Sequence, residues 1–123
     1  MSISEEEFKG RTKQLALRVI RLAEALPNQA TASVIRYQII RAATSVGANY
    51  RAACRAKSTA DMINKLKTVE EEADETLYWL ELIIEAELMP SARVTDLMSE
   101  TNAILAMTVA SLKTLRANSN RKS

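Results

Sequence analysis

The chain has 123 residues, 17 Lys+Arg against 15 Asp+Glu for a formal net charge of +2, and 47% hydrophobic residues. This is the make-up of one globular domain and not of a disordered chain. No histidine is present, which removes imidazole acid–base catalysis, Ser–His triads and imidazole metal ligands. The single cysteine, Cys54, cannot form an internal disulfide and reads as a small residue beside a packing seam. With only two glycines and two prolines, breakers are scarce and long helices are favoured.

The net charge hides a split. Residues 1–67 carry +7 and residues 68–123 carry −5. An asymmetry of this kind points to a polyanion site, or to one half docking on the other. The N-terminus is acidic and polar rather than a signal peptide, and no run of 18 apolar residues exists, so a cytoplasmic protein without a membrane span is expected.

A first helix is predicted over about residues 4–26. Ser4 and Glu7 fit a capping box, and Glu5 and Glu6 suit the N-terminal dipole. Phe8, Leu15, Val19, Leu22 and Leu26 form its seam, and Pro27 stops it. Leu17 and Ile20 lie on the opposite face between Lys13 and Arg21.

A second helix, over about residues 32–57 with Thr31 or Ser33 as its cap, organises the chain. At about 100° per residue, Ile35, Ile39, Ala42, Val46, Asn49 and Ala53 share one stripe. Tyr37, Arg41, Thr44, Ala48, Arg51 and Arg55 fall on the other side, a basic back face with one aromatic. Gly47 is predicted to serve a close helix approach. Asn49, polar in a seam, is expected to pair with Thr76 or Glu72.

Ser58 with Asp61 opens a third helix over about 59–88. Its seam runs through Met62, Leu66, Val69, Ala73, Thr76, Leu80 and Ile83, and its back face holds Glu71, Asp74, Glu75, Tyr78 and Leu82. Trp79 borders the seam and reads as packing. Ser91 is the expected cap of a fourth helix over about 92–116, with Val94, Leu97, Thr101, Ile104, Leu105, Thr108, Leu112 and Leu115 inward. Residues 117–123 are polar and basic, and a flexible tail is expected there. Four seams and short connectors predict an all-α, antiparallel up-down-up-down four-helix bundle of one domain.

Three runs carry a family likeness: RTKQLALRVIRLAEALP at 11–27, QIIRAATSVGANYRAACRAKS at 38–58 and EEADETLYWLELI at 71–83. Together they make the chain resemble the bacterial 23S rRNA intervening-sequence proteins. The resemblance implies a four-helix bundle assembling as a homopentamer. The same fold family includes the accessory protein of diversity-generating retroelements, a basic pentamer that binds a reverse transcriptase and nucleic acid. The resemblance brings no catalytic motif, so no catalytic residue, cofactor or metal is assigned.

The residues offer two candidate surfaces. Arg41, Arg51 and Arg55 with Tyr37, extended by Arg11 and Arg18, are the candidate nucleic-acid site, because guanidinium groups on a rigid helix can fork onto phosphates and Tyr37 can stack on a base. A solvated face, or pairing of these arginines with carboxylates of the third helix, are the alternatives. Lys13, Leu17, Ile20 and Arg21 form a basic–apolar patch, and Glu71, Asp74, Glu75, Tyr78 and Leu82 an acidic–apolar one. One docking on the other in a neighbouring copy closes a ring. The acidic residues are expected to be solvated or interface charge and not a metal site. The reading is a non-enzymatic homo-oligomer binding RNA or DNA electrostatically. The alternative is a scaffold docking a polymerase or another protein.

Overall fold

The structure, a computed structural model, describes residues 3–122, with side-chain surroundings through residue 120. It holds four α-helices: α1 (Glu5–Glu24), α2 (Ala30–Cys54), α3 (Thr59–Glu85) and α4 (Thr95–Lys122), with a 3-10 turn at Ser91–Arg93. Each helix presents an aliphatic stripe to a common core, so the chain is a four-helix bundle. α2 packs mainly on α3 and also on α1, and α4 packs on α3 and more lightly on α1.

The seam residues go where their period sends them. Phe8, Leu15 and Val19 of α1, Ile39 and Val46 of α2, Val69, Leu80 and Ile83 of α3, and Ile104 of α4 are all fully buried. Buried threonines sit among them without stranded hydroxyls. Thr76, Thr101 and Thr108 each donate to the carbonyl four residues back, at 2.7–2.8 Å. Gly47 makes the close approach expected of it. A Cβ there would lie 3.3 Å from Oγ1 of Thr12, a buried α1 residue whose hydroxyl donates to the Lys9 carbonyl. Beside this contact Phe8 and Tyr50 meet edge to face, with ring centroids 4.6 Å apart.

The helix ends follow local chemistry. Ser4 accepts from the Glu7 N–H while Glu7 accepts from the Ser4 N–H, a complete capping box. Ser58 caps α3 by accepting from the Asp61 N–H. α2 departs from expectation: it starts at Ala30, with Gln29 rather than Thr31 or Ser33 in the capping position and no side-chain capping bond. Arg36 helps hold that corner instead. Its guanidinium donates to the carbonyls of Ala23, Leu26 and Pro27, the last acceptors of α1 and its connector. α3 closes in a Schellman arrangement, with Glu87 N–H bonded to the Ile84 carbonyl and Leu88 N–H to that of Ile83. Glu87 occupies the left-handed position at φ 57°, where glycine is usual.

Two expectations for α4 are corrected. Ser91 does not cap it, because Ser91–Arg93 is a 3-10 turn and the α-helix starts at Thr95. The segment expected to be a flexible tail continues α4 to Lys122, since polar residues do not end a long helix when no glycine or proline interrupts it. Ser123, the end of that predicted tail, lies outside the described residues. No helix is long and apolar enough to cross a membrane, among the described residues.

Candidate functional site

The cations on the back face of α2 divide into paired and unpaired groups. Arg41 faces α3. It donates to Glu72 at 3.2 Å and to Glu75, whose carboxylate also accepts from Trp79 Nε1 at 3.0 Å. The Trp79 hydrogen bond, then Arg41, hold the Glu75 carboxyl below the usual carboxylate range, and Glu75 in turn raises the Arg41 guanidinium. Arg11 of α1 is likewise occupied. It forks onto Glu100 of α4 through Nε at 2.7 Å and an NH2 nitrogen at 2.9 Å, and Glu100 raises it. Arg41 therefore follows the alternative of pairing with third-helix carboxylates, while Arg11, expected to extend the cationic face from α1, is paired with Glu100 of α4.

Arg51 and Arg55 lie at the other end of α2 and face α1. With Lys9, Lys13, Gly10 and Glu6 they line an open groove of about 370 Å³. The groove runs on into a shallow trough bordered by Lys9, Lys13 and Arg51, over a floor of small residues that includes Ala16, Gly47 and Ala48. Gly47 shapes both sides of this wall. Its missing side chain lets α1 approach within contact of Thr12 and keeps the trough open. Lys9 is held over Glu5 and Glu6 at 3.4 and 3.3 Å, and the hydrogen bond to Glu6 raises it. Among the described residues, Lys13, Arg51 and Arg55 have no carboxylate within ion-pair distance. Three permanent or near-permanent cations around an open groove are suited to an anion, because each guanidinium can donate two parallel bonds to a phosphate.

The remaining predicted residues scatter. Tyr37 is 67% exposed, as a back-face residue should be, but fourteen residues along α2 put it about 21 Å from Arg51 at the helical rise. It does not share their groove. Arg18 and Arg21 line a separate pocket on the α4 side of α1, with Arg93 of the 3-10 turn. In the docking patches, Leu17 is 37% exposed and Tyr78 52% exposed, while Glu71 and Asp74 are exposed with no ion-pair partner among the described residues. Ile20 is half-buried. Leu82 is half-buried, with part of its side chain packed against the core. Glu75 is also half-buried and is bonded to Arg41 and Trp79 of its own chain.

Asn49 does not pair with Thr76 or Glu72. It is half-buried, and its amide donates to the Ser45 carbonyl of its own helix at 2.9 Å. Cys54 is half-buried and its thiol is pushed up by burial, which makes it a poor thiolate nucleophile. Residues the sequence reading passed over include Lys9 and Gly10 in the groove, Arg93 in the pocket and Tyr50 in the core. Lys9 and Gly10 were legible in principle, as the first-helix neighbours of Lys13 one turn earlier. Among the described residues no three metal-ligating side chains gather.

These features define a class: a small all-α four-helix bundle with a group of cations, unpaired among the described residues, where α1 meets α2. A family model described as 23S rRNA-intervening sequence protein matches residues 5–110, and the chain belongs to that family. Its structure is similar to a crystal structure from Bacteroides thetaiotaomicron VPI-5482, described as a protein with unknown function from the S23 ribosomal protein family. The two are 34% identical, with a TM-score of 0.83, over 90% of this chain and 99% of that one. No curated protein matches.

Proposed function

We propose that this protein is a non-enzymatic, cytoplasmic homo-oligomer that binds RNA or DNA electrostatically through the α1–α2 groove. The observation that carries the reading is the convergence of Lys13, Arg51 and Arg55, without ion-pair partners among the described residues, on a groove floored by small residues. A floor of Gly47, Ala48 and Ala16 lets a backbone phosphate come close, and flanking cations neutralise it. Nothing in the groove resembles a base-reading surface, so binding of this kind is salt-sensitive and poor in sequence preference. The family's description in terms of 23S rRNA, and the ribosomal wording attached to the Bacteroides relative, favour RNA as the polyanion.

The helices in this reading run up-down-up-down. Cross-helix pairs support it: residues late in α2 meet residues early in α1 at Thr12 and Gly47, and Arg36, early in α2, meets the end of α1. The oligomer is a ring, a pentamer by family resemblance, in which the exposed apolar area at Leu17 of one copy meets the Tyr78 face of the next, a heterologous contact. A ring multiplies a groove of few cations and raises affinity by avidity.

The test titrates labelled single-stranded RNA and duplex DNA into the purified protein at low and moderate salt, alongside Arg51→Glu/Arg55→Glu, with assembly mass measured in parallel. Salt-sensitive binding that vanishes in a variant of unchanged mass supports the reading. No binding at low salt overturns it. In that event the exposed Val34, Tyr37 and Tyr78 side chains, on α2 and α3, favour the second reading, a scaffold docking another protein. Leu17→Glu tests the ring alone: it keeps the helices and lowers the mass, and an unchanged mass rules out this contact.

A further inference from the structure

The pocket on the other side of α1 has a different character from the groove. Arg18 and Arg21 come from the last turns of α1, and Arg93 from the 3-10 turn ahead of α4. The three arginines rim a recess of about 240 Å³ whose floor is Leu22, Met89 and Leu97, all buried. Among the described residues none of the three has a carboxylate within ion-pair distance, in contrast to Arg11 one turn and more away on the same helix, which is taken up by Glu100. Three guanidinium groups held around one recess repel one another, and a single anion between them relieves that repulsion.

We infer that this recess is a phosphomonoester site, taking the terminal phosphate of an RNA strand or the phosphate of a free nucleotide. The charge decides between classes of anion. A phosphomonoester approaches two negative charges at neutral pH, with three terminal oxygens to accept from guanidinium forks. A phosphodiester inside a strand carries one charge and two such oxygens, and a carboxylate carries one charge. The apolar floor suits the carbon atoms of the attached ribose, and the recess is too small for more of a strand than its end. Arg21 and Lys9 are twelve residues apart on α1, about 18 Å along the helix, so a strand seated in the groove has room to run over the outer face of α1 toward the recess. The strand-end form of the inference rests on the nucleic-acid reading above; the affinity of the recess for a phosphomonoester does not.

The experiment compares one short single-stranded RNA carrying a 5′-phosphate with the same strand carrying a 5′-hydroxyl, both labelled at the 3′ end, on the full chain. AMP is titrated separately and used as competitor. The phosphorylated strand binds about tenfold tighter, the effect of one or two charge-assisted hydrogen bonds. Arg93→Gln, at an exposed position on the 3-10 turn, erases that difference and leaves the hydroxyl strand's affinity unchanged. Lys13→Gln/Arg51→Gln weakens both strands alike. If AMP removes the increment, the site reads the phosphate wherever it comes from; if AMP does not, it reads a strand end. Equal affinity of the two strands, or a difference that survives Arg93→Gln, overturns the inference and leaves the groove reading standing. If neither strand binds while AMP binds the wild type and not Arg93→Gln, the recess stands as a nucleotide site and the nucleic-acid reading fails.

Discussion

Arg41 and Arg51 sit on one helix, ten residues apart, and meet opposite neighbours. Arg41 looks at the acidic run of α3 and is consumed by Glu72 and Glu75. Arg51 looks at α1, where the nearby carboxylates Glu5 and Glu6 lie beside Lys9 and leave it unpaired. The residue type is the same, so the role of an arginine here is decided by what the facing helix brings. The α2–α3 face uses its cation as a strut. The α1–α2 face leaves Lys13, Arg51 and Arg55 in reserve, without an ion-pair partner among the described residues.

The largest break in that comparison comes from beneath the groove. Phe8 is fully buried against Tyr50 where α1 and α2 meet, so Phe8→Ala is expected to lose about 3–5 kcal/mol in chemical unfolding and to loosen the groove with it. Gly47→Val comes next. Its side chain enters space already taken by buried Thr12, with a cost of about 1–3 kcal/mol, and Thr12→Ala in the same chain recovers part of it. If the double variant is no more stable than Gly47→Val, the close approach is not what excludes a side chain there.

The two arginines themselves sharpen the contrast. Arg41→Gln leaves Glu72 and Glu75 facing each other and costs about 0.5–1 kcal/mol, discounted because the pair is partly solvated, while anion affinity stays near wild type. Arg51→Gln reverses the pattern, with stability within about 0.5 kcal/mol and the salt slope of nucleic-acid binding lowered by about one. Thermal melts and salt titrations of both variants read this directly, and matching behaviour would collapse the distinction between strut and reserve.

The smallest effect is in acid. Glu75 titrates below the usual carboxylate range because Trp79 and Arg41 favour its charged form. Its contribution to stability is present above the ordinary carboxylate value and is lost as pH falls through the lowered one. Wild-type stability should therefore drop in that acidic window by up to about 1 kcal/mol more than that of Glu75→Gln, measured by urea unfolding at stepped pH.

The seams were readable because burial repeats with the helical period, which the sequence displays directly. Ile35, Ile39, Val46 and Ala53 needed no partner to be identified. The Ser4 capping box and the Ser58 cap were readable for a similar reason, since the partners lie three residues apart, although Asp61 does not return the bond to Ser58. The site was harder. Whether Arg11 is free depends on Glu100, which is 89 residues away in the chain, and whether Arg41 is free depends on Glu72 and Glu75 facing it. A period assigns a residue to a face of its own helix, and says nothing of which charge the next helix sets against that face. Asn49 shows the same limit in small. The stripe placed it in the seam, and it satisfied itself on the Ser45 carbonyl without any partner from α3.

The Arg36 contacts have a consequence for the order in which the chain organises itself. Arg36 lies only nine to thirteen residues from the carbonyls it holds at Ala23, Leu26 and Pro27. Closing so short a loop carries little entropy loss, and local contacts of this kind form fastest. The corner between α1 and α2 is thus expected to organise early, ahead of the contacts with the C-terminal half. Both walls of the cationic groove are strung from that corner, so the groove belongs to a section of chain made before α3 and α4.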